Sequence, residues 1–147
     1  MYLTKKTYVK NWEHMKPEER HQITVLKDGK PTKIKPDRVE EITEGIGYWR
    51  KANQIHRWFV ENCQKHTDDC REYHVSRAKL EQLLTLVNTV LGEHSQAEIL
   101  LPTQSGFFFG SEEYDADYFS DLMDTQKIIE TALAEDPEGS YYYQSSW

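Results

Sequence analysis

Two polar side chains on an otherwise apolar helical stripe, Asn53 and His56, are the residues of this chain best placed by type to bind a ligand or move a proton. At about 100° per residue, Ile42, Ile46, Trp49, Asn53, His56 and Val60 share one stripe, with Tyr48, Ala52, Ile55 and Phe59 beside it. An unmet hydrogen bond inside such packing costs about 1–3 kcal/mol, so both polar groups need partners. Two arrangements supply them. In one, Asn53 and His56 floor a ligand pocket, Trp49 is its stacking wall, and Arg50 and Arg57, one heptad apart, clamp an anionic small molecule or nucleotide at the rim. In the other, His56 is a core histidine bonded to a backbone carbonyl. Trp58 falls on the opposite side, among Lys51, Gln54, Glu61 and Asn62. There it either offers a partner surface or a stacking platform, or is covered by the C-terminal tail or a β-element.

A second unusual stretch is Leu101-Pro102-Thr103-Gln104-Ser105-Gly106-Phe107-Phe108-Phe109-Gly110-Ser111. Three consecutive Phe cannot share one side of an extended chain, so at least one projects away toward solvent, a partner or a second core; Phe108 is taken as the partner contact. The acids that follow, Glu112 to Asp124, argue against a phosphate site and mark Asp117 and Asp121 as contacts for a basic partner. Asp115, Asp117, Asp121 and Glu112 lack the glycine and terminal Glu of an EF-hand loop. Cys63, His66, Cys70 and His74 are zinc ligands by type, but no continuous helix gathers them, since Cys63 and Cys70 lie about 10 Å apart along one. No metal and no cofactor is therefore assigned. The chain has six histidines and 25 acids but no G-x-S-x-G, H-E-x-x-H, P-loop, kinase or deaminase signature, so binding is expected over catalysis and no catalytic residue is named.

Charge is lopsided. Residues 1–79 carry 17 basic and 12 acidic side chains, residues 80–147 one basic and 13 acidic. Either the chain has one basic and one acidic surface, or the halves interleave and neutralise each other. The net charge of −7 and the lack of a basic helical stripe argue against sequence-specific DNA reading. The start, Met1 to Lys6, has no apolar h-region, no apolar run approaches the roughly 18 residues of a membrane span, and two cysteines do not make a disulfide scaffold. A reducing cytoplasm is expected.

The elements that must position these residues follow from turn and period signals. The 147 residues, with four Trp, nine Tyr and five Phe, suit a single domain. The expected class is α+β, predominantly helical, with three main helices and a small N-terminal antiparallel β-element. Residues 1–35 form that element, with an Asp28-Gly29 turn and Thr32 to Lys35 as the returning strand. Residues 36–135 form the helical core. Its first helix runs from Asp37 to about Cys63, whole or broken near Gly47; its second is capped by Ser76 and ends at Gly92; its third runs from Asp115 or Asp117 to about Ala134. Residues 136–147 are an aromatic tail in which Tyr141, Tyr142 and Tyr143 form a short strand or a packed extended segment.

The strings Tyr48-Trp49-Arg50-Lys51-Ala52-Asn53-Gln54-Ile55-His56-Arg57-Trp58-Phe59-Val60, Leu100 to Ser111 with Tyr114-Asp115, and Tyr142-Tyr143-Gln144-Ser145-Ser146-Trp147 resemble a family of small uncharacterised proteins encoded by tailed bacteriophages and prophages. The resemblance spans nearly the whole chain and implies a viral accessory protein in the infected bacterial cytoplasm. It carries over no catalytic residue. Two functions are thus expected: stoichiometric inhibition or sequestration of a host-defence or host-metabolic protein through Trp58, Phe108, Asp117 and Asp121, or binding of an anionic small molecule or nucleotide by Trp49, Arg50, Asn53, His56 and Arg57.

Overall fold

A computed structural model describes residues 1–106 and 110–146. Its centre is a four-stranded antiparallel sheet ordered β4-β1-β6-β5, with β1 Tyr2–Tyr8, β4 Glu41–Tyr48, β5 Tyr73–Val75 and β6 Ser140–Gln144. A detached hairpin, β2 Leu26–Lys27 and β3 Lys30–Pro31, precedes β4. The helices are α1 Asn53–Asn62, α2 Arg77–Gly92, the short α3 Ala97–Leu100 and α4 Ala116–Glu135.

The class is α+β, but the expectation of a predominantly helical chain with only a small N-terminal β-element is overturned by this sheet, which draws strands from both ends and the middle of the chain. The largest correction concerns residues 37–52. Ile42 and Ile46 are four apart, a spacing that fits one helix face and equally one face of a strand of period two. β-branched Ile42, Thr43 and Ile46, with Gly45 and Gly47, disfavour helix, and β1 supplies a full-length partner. Ile46 is the extra residue of a bulge, since Leu3 pairs with Gly47 and Thr4 with Gly45. A Cβ on Gly47 would lie 2.5 Å from Ile128 Cγ2, so α4 packs directly on β4 there.

The tail is not peripheral either: β6 lies between β1 and β5. Its alternation sends Tyr141 and Tyr143 inward, at 1% and 0% exposure, and Tyr142 outward. The inner face, with Leu3 and Val75, meets Ile55 and Phe59 of α1, Leu80, Leu83 and Val87 of α2, and Leu122 and Ile129 of α4 in one core. Phe59 stacks on Tyr143 at 4.0 Å, and the Tyr141 hydroxyl donates to the Ala132 carbonyl at 2.7 Å.

Local signals are met where they act over three or four residues. Asp28 and Gly29 both adopt positive φ, 54° and 72°, the type I′ geometry of a two-residue hairpin, although the return strand is Lys30–Pro31 and not Thr32 to Lys35. Ser76 caps α2 by accepting from the Lys79 N–H, and Asp115 caps α4 by accepting from the Tyr118 N–H.

Candidate functional site

Helix α1 begins at Asn53, so this residue lies in the first turn and not mid-helix. The chain leaves β4 through Trp49 and Arg50, and turns at Lys51, whose φ is +63°. Trp49 is buried and donates its indole N–H to Thr125 Oγ1 at 2.8 Å. It is therefore a core strut, not a stacking wall. Asn53, 1% exposed, clips the loop ahead of α4: its amide donates to the Ser111 carbonyl at 2.9 Å and accepts from the Gln104 N–H at 2.9 Å. The buried-polar rule anticipates that Asn53 has partners; that they are the Ser111 carbonyl and the Gln104 N–H comes only from the tertiary contacts.

His56 is wholly buried, with Nδ1 2.8 Å from the Tyr143 hydroxyl and Nε2 3.0 Å from Asp68 Oδ2. Among the described residues these partners are side chains, where a backbone carbonyl was expected. Burial, then the nearby Asp68 and Cys63, push the Tyr143 phenol far above the ordinary tyrosine range. Arg57 bonds Glu61 at 2.8 Å and the Thr103 carbonyl at 3.2 Å, away from Arg50. Trp58, expected on a polar face, is 5% exposed, edge-on to Phe59 and sharing a small crevice with Leu101 and Pro102. It is not available as a partner surface. Phe108 lies outside the described residues.

What remains is a cleft of about 290 Å³ between the N-terminal turns of α1 and α4. One lip carries Arg50 and Lys51; the other carries Glu113, Asp115, Asp117 and Asp121. Asn53 and Gln54 form part of its wall, and the Gln54 amide donates to Asp121 Oδ2 at 3.3 Å. The two expected sites thus merge in part, because Arg50 and Asn53 join Asp117 and Asp121, while Trp49, His56, Arg57 and Trp58 stay outside. Lys51, Gln54 and Glu113 were not anticipated; the signal available for them was adjacency to the chosen residues. Among the described residues, neither cation and none of the four carboxylates belongs to an ion pair. Asp121 is pushed up to about 6, first by burial and then by Asp124, Asp117 and Asp115, with the Gln54 hydrogen bond opposing.

Among the described residues, no group of three or more His, Cys, Asp or Glu is gathered to hold a metal ion. Cys63 and Cys70 are free thiols, and burial pushes Cys63 up to about 11. Among the described residues, no helix is long and apolar enough to cross a membrane. Comparison of the chain with protein-family models, curated proteins and solved structures finds no match.

Proposed function

We propose that the protein is a bacteriophage-encoded accessory protein that works by stoichiometric binding in the bacterial cytoplasm, its cleft between α1 and α4 receiving a Lys/Arg-rich segment of a host-defence or metabolic protein. The observation that carries this reading is the set of carboxylates on Glu113, Asp115, Asp117 and Asp121, which line one concavity and belong to no ion pair among the described residues. Charges left without counter-charges attract an oppositely charged partner and speed its encounter. An anionic segment is repelled by the same four groups. The test is affinity capture from bacterial lysate followed by native mass spectrometry. A 1:1 complex is expected with the wild-type chain and its loss with Asp117→Lys plus Asp121→Lys; equal recovery by both proteins refutes the reading.

A second reading follows from Arg50 and Lys51, which face the carboxylates across the same cleft without pairing to them. A small zwitterion carrying an ammonium and a carboxylate satisfies both lips. It predicts a melting-temperature rise with millimolar free amino acids that Arg50→Ala removes.

A further inference from the structure

We infer that a second cleft, at the end of the sheet where β1 and β4 meet the excursion between them, is a binding site for a neutral oligosaccharide. It encloses about 670 Å³, inside the range of about 300–1,000 Å³ typical of small-ligand sites. Two large rings line it: Tyr8 at 59% exposure and Trp12 at 52%. Trp12 lies nearly parallel to His14, with centroids 5.8 Å apart and planes 8° apart, so the imidazole steadies the indole.

The floor is held by the fold. Val9 is buried and its N–H donates to the Glu40 carbonyl at 2.9 Å, which extends the β1–β4 ladder under the cleft. The Lys10 N–H donates to His21 Nδ1 at 3.2 Å, and the His21 N–H returns to the Lys10 carbonyl at 2.8 Å, tying down the chain on either side of Trp12.

The polar lining selects the ligand. Asn11, Asp37, Arg38 and Glu40 present an amide, two carboxylates and a guanidinium, and their side chains enter no hydrogen bond or ion pair among the described residues. One guanidinium against two carboxylates repels phosphate and does not suit a nucleotide. Hydroxyl groups donate and accept at once, which matches a mixed set of donors and acceptors. The electron-rich faces of Tyr8 and Trp12 attract the polarised C–H groups on one face of a pyranose ring. Rings plus mixed polar groups thus call for a polyhydroxylated, uncharged ligand.

The test uses a printed array of neutral glycans, followed by titration of Trp fluorescence with each retained glycan, and with maltotriose and tri-N-acetylchitotriose as soluble probes. Trp49 and Trp58 are buried, and the titration is run on a Trp147→Phe background, so a ligand on Trp12 is seen in emission. Saturable binding is expected for at least one neutral glycan, weakened at least tenfold by Trp12→Ala and several-fold by Arg38→Ala, both at exposed positions. Circular dichroism and thermal melting of the variants verify folding. Asp117→Lys leaves this binding unchanged, which separates it from the α1–α4 cleft. No retained neutral glycan, binding indifferent to Trp12→Ala and Tyr8→Ala, or retention only of dT10 or of phosphorylated sugars overturns the proposal.

Discussion

The indole N–H of Trp49 donates to the hydroxyl of Thr125, 76 residues away, and Thr125 in turn donates to the Asp121 carbonyl at 2.6 Å. The end of β4 is thereby joined to the helix that carries the acidic lip of the cleft. Trp49→Phe deletes the donor together with the pyrrole part of a buried ring. A loss of about 2–4 kcal/mol in urea unfolding is expected from the lost hydrogen bond and the cavity, and Thr125→Val added to it costs less than the two single changes summed.

Asn53 holds Gln104 and Ser111 with the two ends of its amide. Removing it leaves the Gln104 N–H and the Ser111 carbonyl without this partner. Asn53→Ala is expected to destabilise by about 2–4 kcal/mol by chemical denaturation, and Asn53→Asp by at least as much, since it keeps the acceptor for Gln104 but sets a buried carboxylate oxygen against the Ser111 carbonyl.

Gln64 follows α1 and is wholly buried, yet its Nε2 and Oε1 have no hydrogen-bond partner among the described residues. Replacing an unmet buried amide by an apolar group of similar shape removes a desolvation cost. Gln64→Met is expected to raise stability by about 1 kcal/mol, read as a higher melting temperature; a fall would show that the amide is satisfied.

Tyrosine ionisation reports on the core. Burial raises the phenols of Tyr118, Tyr141 and Tyr143, with Tyr118 and Tyr143 moved furthest. Below about pH 10 these phenols are neutral in folded and unfolded chains alike. Above it the unfolded chain loses protons that the folded chain keeps, so stability falls as pH rises. Absorbance at 295 nm is expected to show these tyrosines titrating together with loss of ellipticity.

Asp121 acts with the same sign in an acidic window. Its folded value of about 6 lies above the roughly 3.9 of an unfolded aspartate, so the folded state holds the extra proton between those values. Its contribution is present below about pH 4 and lost as pH rises through 6. Asp121→Asn is expected to raise stability at pH 7.5 by about 1 kcal/mol after allowance for solvent screening, and to change it little at pH 4.

How far the chain could be read without coordinates depended on the range of each interaction. The Ser76 cap and the Asp28-Gly29 turn are contacts between residues at most three apart, and each is legible, whereas the start of α4 is narrowed only to Asp115 or Asp117. The need of Asn53 and His56 for partners is legible too, because burying a polar group carries a cost wherever it happens. Glu41–Tyr48 was misread, since Ile42 and Ile46 fit either period and the deciding partner, β1, starts at Tyr2. Trp58 has polar neighbours within its helix, but Phe59, Leu101 and Pro102 surround it, and helical position alone does not report on them.

The sequence by itself determined the local turns and caps, the apolar content for one core and the imbalance of charge between its halves. Only the tertiary structure decided that the C-terminal tail is a central strand and that Arg50 faces Asp117 and Asp121 across one cleft. It also placed Tyr8 and Trp12 beside Arg38 in another. The reason is that strand pairing and helix docking are chosen by the total burial they allow across distant segments, a quantity that no window of neighbouring residues contains.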